Sequence, residues 1–177
     1  MKFVRPNLRL FEAMEVPAAV EVIKNRLLPL ATMVTPNIPE AEYMCGQEIK
    51  NIHEMGQAAQ IIGDMGPGYV LIKGGHLKEN ANDLLYNGRT MTIFEGGRIH
   101  TQNTHGTGCS ISSAICINMA KGMDAVLAVG EAKKYVKTGI ENGLSIGKGN
   151  GPIHHFYDLW KTSDPNVEIE FKCIEKE

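Results

Sequence analysis

Two short apolar runs, each preceded by a segment with helical periodicity, limit the folds that this chain can adopt. The runs are LATMVT at residues 30–35 and YVLIKGG at residues 69–75. A short apolar run that contains β-branched residues and does not alternate is typical of a strand buried on both faces. Both faces are buried when helices cover the two sides of a parallel sheet. The pattern therefore predicts an α/β fold with a mostly parallel sheet flanked by helices.

Apolar residues at helical spacing predict the helices that cover this sheet. One stripe ends at Pro29, and another follows Asn51, which has capping-box spacing to Glu54. The residues of the two stripes are Val16, Val20, Ile23 and Leu27, and Ile52, Met55, Ala59 and Ile62. Between the stripes, the two prolines of TPNIPEAEYMCG (residues 35–46) predict a loop before a short helix.

The second half of the chain continues the same alternation. Asn87-Gly88 lies between two extended runs and predicts a β-hairpin. Residues 108–121 are almost wholly apolar and predict a buried helix. Asp124 caps a last long helix. The inward side of that helix carries Val129, Ala132, Val136 and Ile140.

Composition and charge exclude several classes of function. The 177 residues suffice for one domain with a sizeable core. A net charge of -2 argues against a nucleic-acid surface, and no apolar run is long enough to cross a bilayer. The four cysteines contain no CxxC pair; they are Cys45, Cys109, Cys116 and Cys173. This spacing fits reduced thiols in the cytoplasm better than a disulfide framework or a zinc site.

The stretch NTHGTGCS (residues 103–110) sets two glycines and a cysteine where the apolar helix begins. Glycine lets the backbone approach a ligand closely, and the first N–H groups of a helix attract anions. Gly106, Thr107 and Gly108 therefore indicate a cradle for a phosphoryl group, and the helix terminus would favour the thiolate of Cys109 as a proton acceptor. The alternative is a tight loop that packs a buried helix, with Cys109 as an apolar filler.

Polar residues follow each of the two predicted strands: TPNIPE follows the first strand and KGGH follows the second. In open α/β sheets, ligands bind beyond the carboxyl ends of the strands. GLSIGKGNG (residues 143–151) is similar to a phosphate-binding P-loop but has the wrong spacing and lacks the Ser or Thr that binds magnesium. We interpret this segment as a glycine-rich helix exit that borders a ligand site.

Taken together, NTHGTGC, VTPNIPEAE, VLIKGGHL and GKGNGPIHHF resemble the hydroxymethylpyrimidine/phosphomethylpyrimidine kinases of thiamine biosynthesis, which belong to the ribokinase-like superfamily. The resemblance runs in order from about Val16 to Phe156. It implies ATP-dependent phosphorylation of an aminopyrimidine alcohol or of its monophosphate, with Mg²⁺ as the metal. Such a kinase acts on small molecules and needs neither nucleic acid nor a membrane.

The resemblance also implies a role for each matching residue. Gly106, Thr107 and Gly108 would form the anion hole, and Cys109 would be the base. The implied residues of the ATP and magnesium site are Asn37, Glu40, Lys73, Thr104 and His105. Without the resemblance, Glu40 is a helix-start carboxylate and Lys73 a solvated lysine. His154 and His155 are expected to be structural or surface groups.

The front of the chain departs from the family pattern. We expect one incomplete ribokinase-like domain over residues 1–177, N-terminally truncated and without the substrate-binding segment, with poorly matching ends at 1–14 and 162–177. Such a chain would expose a sheet edge, which predicts a homo-oligomer such as a dimer. Two alternatives stay open: a non-catalytic remnant that serves as a nucleotide-binding or interaction module, and a pyridoxal-type kinase of the same superfamily.

Overall fold

The computed structural model describes residues 17–75, 81–144, 146 and 149–162, and in these ranges helices cover both faces of one sheet. The strands are β1 (Met33–Val34), β2 (Tyr69–Ile72), β3 (Asp83–Tyr86) and β4 (Met91–Phe94). The helices are α1 (Pro17–Val22), α2 (Ile38–Cys45), α3 (Ile52–Gly63), α4 (Thr107–Ala120), α5 (Ala125–Glu141) and α6 (Tyr157–Thr162). The predicted α/β class is confirmed. The predictions for Val16 and for the poorly matching ends at 1–14 and 163–177 lie outside the described residues.

The four strands follow the order β1-β2-β3-β4. β1 pairs with β2 in parallel, as the two apolar runs predicted, with Met33 opposite Tyr69. The hairpin around Asn87-Gly88 is also confirmed: β3 pairs with β2 and with β4 in antiparallel fashion. Asn87 Oδ1 accepts the backbone N–H of Thr90 at 2.7 Å, and Gly88 takes a φ of 87°. Within the described residues the parallel pairing therefore lies at one side of the sheet and the hairpin at the other.

The helix before β1 changes its pitch. α1 continues into a π-helical turn over Ile23–Leu27 and a 3₁₀ turn over Leu28–Leu30. Val20 is buried as predicted, but Leu27 is 41% exposed, and Leu28 is buried in its place. The prediction for Leu27 is wrong because a π turn holds more residues than an α turn and so shifts the phase of the stripe.

The segment TPNIPEAEYMCG contains the predicted short helix after a brief loop. α2 begins directly after Asn37, whose side chain accepts the N–H of Glu40. Pro39 is tolerated because the N–H groups of the first helical turn need no partner inside the helix. Asn51 caps α3 in the same way, and its Oδ1 accepts the N–H of Glu54 at 3.0 Å.

The core has two layers, one on each face of the sheet. Successive side chains of β2 alternate between these layers, as expected for a strand. Val70 and Ile72 pack with residues of α2 and α3, and Leu71 packs with residues of α4 and α5. Asp124 caps α5 through the N–H of Leu127. The predicted inward side of α5 is confirmed at Val129, Ala132 and Val136, which are buried.

Helix α4 is buried on one side only. Ile111 and Ile115 face the sheet and are buried, whereas Ile117 is 54% exposed. The predicted burial is therefore confirmed on the side of α4 that packs on the sheet and α5, and not at Ile117. None of the helices in the described ranges combines the length and apolar character that a bilayer-spanning segment requires.

Candidate functional site

The carboxyl ends of β1 and β2 bring Asn37 and Lys73 side by side. The backbones of the two residues form a parallel bridge that extends the β1–β2 pairing. The N–H of Lys73 donates to the carbonyl oxygen of Pro36 at 2.9 Å. Two motifs that lie far apart in the sequence, NxxE and KGG, are therefore neighbours at one edge of the sheet, where α/β sheets bind ligands.

Asn37 and Glu40 form a complete capping box at the start of α2. Asn37 Oδ1 accepts the N–H of Glu40 at 2.9 Å, and Glu40 Oε2 accepts the N–H of Asn37 at 2.8 Å. The Glu40 residue is 8% exposed. One carboxylate oxygen is thus committed to the helix start, which is the role that the residues alone predicted. The other oxygen, Oε1, remains as a hard donor atom.

The glycine-rich loop enters α4 through a left-handed residue. Gly106 is the N-cap with a φ of 87°, and it has no side chain to cap the helix. Thr107 turns its hydroxyl back onto the carbonyl oxygen of Thr104, at 2.6 Å. Ser110 likewise donates to the carbonyl oxygen of Gly106, at 2.9 Å. The side chains around this helix start therefore bond to carbonyl groups and do not cap its first N–H groups, which suits an anion cradle.

Lys73 reaches this helix start. A β-carbon built on Gly108 would lie 3.6 Å from Nζ of Lys73. The position of α4 above β1 is fixed by the buried hydroxyl pair of Thr35 and Ser112, whose oxygen atoms are 2.9 Å apart. Ser112 also donates to the carbonyl oxygen of Gly108 at 3.0 Å. An ammonium group and the positive end of a helix thus meet at one point, which favours a multiply charged anion.

A cavity of about 670 Å³ opens beside this point. Lys73 and Thr107 line it together with further charged residues, and Ile93, Ile99 and Ile140 supply apolar lining, here called the apolar chamber. An adjoining space of about 880 Å³ shares Thr107 and includes Thr104. A charged end joined to an apolar chamber of this volume suits a ligand with a phosphate tail and an aromatic ring.

The cavity also contains an ion pair that the sequence analysis missed. Asp83 Oδ2 accepts from Nζ of Lys133 at 2.6 Å, and its Oδ1 accepts the N–H of Gly74 at 2.8 Å. Lys133 donates in addition to the carbonyl oxygen of Phe94 at 3.3 Å. The two charged residues are 50 positions apart in the sequence, so no local motif marks them as a pair.

Cys109 faces away from the cavity. It is exposed and lines a separate groove of about 610 Å³ together with Ser113, Tyr135 and His155. Residues 107 and 109 of an α-helix point about 200° apart, which explains why Thr107 lines one space and Cys109 the other. The hydroxyl of Tyr135 lies 2.9 Å from Nδ1 of His155. The first turn of α4 therefore separates two openings.

The glycine-rich exit packs against the loop that precedes α4. The N–H of His105 donates to the carbonyl oxygen of Gly151 at 3.1 Å, so His105 holds this segment in place and does not line the 670 Å³ cavity. Gly143 and Gly151 lie so close to Asn103 that a β-carbon on either would collide with its side chain. His154 is buried and makes an edge contact with the ring of Trp160, which confirms a structural role.

The residues present could bind a magnesium ion only through a single carboxylate, with water and substrate phosphates as its other ligands. In the described ranges no three His, Cys, Asp or Glu side chains converge into a metal site. Glu40 supplies one available carboxylate oxygen next to the Asn37–Lys73 bridge. Magnesium is commonly held by one or two carboxylates, several waters and the phosphates of its substrate, so a single carboxylate is compatible with it.

Comparisons with known proteins agree with this geometry. A family model described as phosphomethylpyrimidine kinase matches residues 12–154. The hydroxymethylpyrimidine/phosphomethylpyrimidine kinase of Rhizobium meliloti is 46% identical over 149 residues, which cover 82% of this chain and 56% of the relative. The chain thus spans about half the length of the curated relatives it matches.

Two solved structures are similar in fold and sequence. An ADP complex of Bacillus subtilis pyridoxal kinase is 34% identical with a TM-score of 0.80, covering 89% of this chain and 60% of that protein. The phosphomethylpyrimidine kinase of Clostridium difficile is 36% identical with a TM-score of 0.58, covering 68% and 48%.

Proposed function

The chain belongs to the phosphomethylpyrimidine kinase family, and from this premise we propose that it forms the ATP-dependent phosphoryl-transfer site of a kinase in thiamine biosynthesis. The acceptor is 4-amino-5-hydroxymethyl-2-methylpyrimidine, its monophosphate, or both in turn. One observation supports this proposal above the others: the ammonium of Lys73 lies beside Gly108 at the start of α4. A tight glycine loop that only packed a helix would not need a lysine there.

The donor side of the site is the 670 Å³ cavity. ATP would place its phosphates at the first N–H groups of α4 and at Lys73, with Thr107 beside them. Its adenine ring would use the apolar chamber, and Thr104 would line the adjoining space. The similar pyridoxal kinase of B. subtilis was solved as an ADP complex, which supports nucleotide binding by a chain of this fold. His105 would contribute indirectly, by fixing the loop.

The acceptor would bind at the end of the Cys109 groove that meets the start of α4, so that its hydroxyl reaches a γ-phosphate held at the first N–H groups of the helix. The thiolate of Cys109 would take the proton of the substrate hydroxymethyl group as its oxygen forms a bond to the γ-phosphorus of ATP. The bond from that phosphorus to the bridging oxygen breaks, and ADP leaves with the electron pair. The backbone N–H groups of Gly106, Thr107 and Gly108 would hold the charge on the transferred group, since positioning and electrostatics supply most of the rate in such transfers.

Glu40 and Asn37 would organise the magnesium ion near the phosphates. A bound Mg²⁺ would neutralise charge on the β- and γ-phosphates. Glu40 Oε1 would accept from its water ligands or bind it directly, and the capping box would keep the carboxylate oriented. Removal of the carboxylate should therefore raise the magnesium concentration that half-maximal activity requires.

The first test is ADP release by the purified chain with ATP, magnesium and the hydroxymethyl aminopyrimidine. Cys109→Ala should reduce turnover by about a hundredfold or more, the usual contribution of a general base. Cys116→Ala is the matched control, since Cys116 lies on the same helix and away from its start. Full turnover in Cys109→Ala would overturn the assignment of the base.

A second candidate substrate is pyridoxal. The B. subtilis pyridoxal kinase superposes with a higher TM-score, 0.80, than the C. difficile phosphomethylpyrimidine kinase, at 0.58. Competing the two alcohols in one assay decides between them, because the true substrate has the higher kcat/KM. ADP binding without turnover on either alcohol would instead support the nucleotide-binding module.

The remaining predictions complete the proposal. We propose a homo-oligomer, with a dimer as its simplest form, because β1 is an edge strand of the described sheet while both its side chains are fully buried. Sedimentation at several protein concentrations tests this. A cytoplasmic location stays a prediction from the cysteine pattern.

A further inference from the structure

The turn that follows β2 carries Lys73 to the start of α4, and two hydrogen bonds hold it. On one side, the N–H of Lys73 donates to Pro36. On the other side, the N–H of Gly74 donates to Asp83 Oδ1 at 2.8 Å in a buried position. The backbone on both sides of the Lys73 α-carbon is therefore fixed, and the direction in which its side chain leaves the sheet is fixed with it.

The backbone at Gly74 is closely packed, which leaves it little room to form a replacement hydrogen bond if the bond to Asp83 is lost. A β-carbon at this position would collide with the carbonyl oxygen of Asn82, so the turn lies directly against the backbone before β3. Asn82 in turn accepts the N–H of Gly96 at 2.9 Å. Among the described residues, the side chain that accepts the backbone N–H following Lys73 is that of Asp83.

Asp83 is itself held by Lys133. Their ion pair spans 2.6 Å, and the two side chains are 10% and 19% exposed. Burying two charges costs desolvation energy, and such pairs often contribute little net stability, so their value lies more in fixing a geometry. Lys133 also donates to Phe94 at the end of β4. Lys133 is therefore held in place by β4, and it orients the Asp83 carboxylate from α5. The other oxygen of that carboxylate accepts from Gly74.

We infer that Asp83 is a positioning residue for the phosphate contact of Lys73, and that Lys133 acts by orienting Asp83. The inference rests on the proposed function, because it assumes that Lys73 binds nucleotide phosphates. Loss of the carboxylate frees the 73–75 turn and moves the Lys73 ammonium away from Gly108. The contact with the phosphates weakens, whereas the apolar chamber for the base is unchanged.

A double-mutant cycle with two ligands tests this inference. Asp83→Ala should weaken ADP binding about tenfold and leave adenosine binding within about twofold, since adenosine has no phosphates. In a Lys73→Ala background, Asp83→Ala should change ADP affinity by less than about twofold, because the contact is already gone. Asp124→Ala is the matched control: its carboxylate also accepts a backbone N–H, that of Leu127, at the start of α5.

Two milder variants guard against a misfolded Asp83→Ala protein. Asp83→Asn keeps an oxygen that can accept from Gly74 but loses the charge that Lys133 needs, and Lys133→Met removes the cation instead. Both should weaken ADP binding less than Asp83→Ala does. Two results would overturn the inference and leave Asp83 as a general structural residue. One is that Asp83→Ala lowers ADP affinity as much in the Lys73→Ala background as in the parent protein. The other is that it lowers adenosine affinity as much as ADP affinity.

Amide hydrogen exchange separates this inference from the proposed function. The Gly74 amide should exchange slowly in the parent protein and at least about tenfold faster in Asp83→Ala and Lys133→Met. If the parent protein binds neither ADP nor ATP, the proposed function fails. Faster exchange of the Gly74 amide in the variants would then still show that Asp83 fixes the 73–75 turn, and unchanged exchange would overturn that part of the inference.

Discussion

Replacement of Gly108 by alanine should stabilise the protein and weaken its nucleotide binding at the same time. Gly108 lies in the first turn of α4 and is not among the glycines with positive φ. Glycine inside a helix costs about 0.5–1 kcal/mol relative to alanine. The added methyl group would meet only Lys73 Nζ, at an ordinary contact distance of 3.6 Å. The unfolding temperature should therefore rise by about 1–4 °C.

The same methyl group would occupy space that a phosphate needs. An oxygen bound at the helix start must come within hydrogen-bond distance of the first N–H groups and of the Lys73 ammonium at once. A methyl group between these donors keeps it out, so ADP affinity should fall by at least about tenfold. A gain in stability coupled to a loss of affinity separates a binding role for Gly108 from a packing role.

Thermal unfolding followed by circular dichroism, with and without magnesium and ADP, measures both effects. Gly106→Ala is the comparison variant: its φ of 87° disfavours a side chain, so it should destabilise the protein by about 1–2 kcal/mol. Gly108→Ala with a lower unfolding temperature, or with parental affinity for ADP, would refute the phosphate cradle.

Four further substitutions test other parts of the site. Lys73→Met should weaken ADP binding about tenfold or more and leave adenosine binding unchanged in titration calorimetry, since only ADP carries phosphates. Thr35→Val should cost about 1 kcal/mol in urea unfolding, because it removes the hydroxyl pair with Ser112. Asn37→Ala should cost about 1 kcal/mol by loss of the α2 cap. Glu40→Gln should instead raise the magnesium requirement of turnover, measured by magnesium titration at saturating ATP.

Short sequence patterns predicted much of this fold, because turns, helix caps and buried strands depend mainly on residues that are close together in the chain. The hairpin at Asn87-Gly88, the cap at Asp124 and the buried run of β2 all follow from short patterns. The short helix α2 was also predicted, and Glu40 was recognised as a carboxylate suited to a helix start. The capping role of Asn37 was not assigned, although Asn, Pro and Glu at this spacing suit the first turn of a helix.

Long-range pairings could not be predicted from a single sequence. Asp83 and Lys133 become partners only when β3 and α5 pack together, and each alone resembles a solvated surface charge. The position of Cys109 has a related cause: the motif places it at a helix start, but the direction of its side chain depends on how α4 is rotated over the sheet. The phosphate motifs were thus found, and the network that positions them was not.

The two openings on either side of the first turn of α4 have a kinetic consequence. In a kinase with a single mouth, the reactant at the bottom must enter first and leave last, so its mechanism is ordered. Here the cavity of Lys73 and the groove of Cys109 open separately. If donor and acceptor use these spaces as proposed, either can bind first. We therefore expect an inert analogue of each reactant to inhibit in a mixed manner against the other reactant, whereas ordered binding would make one of the two patterns uncompetitive.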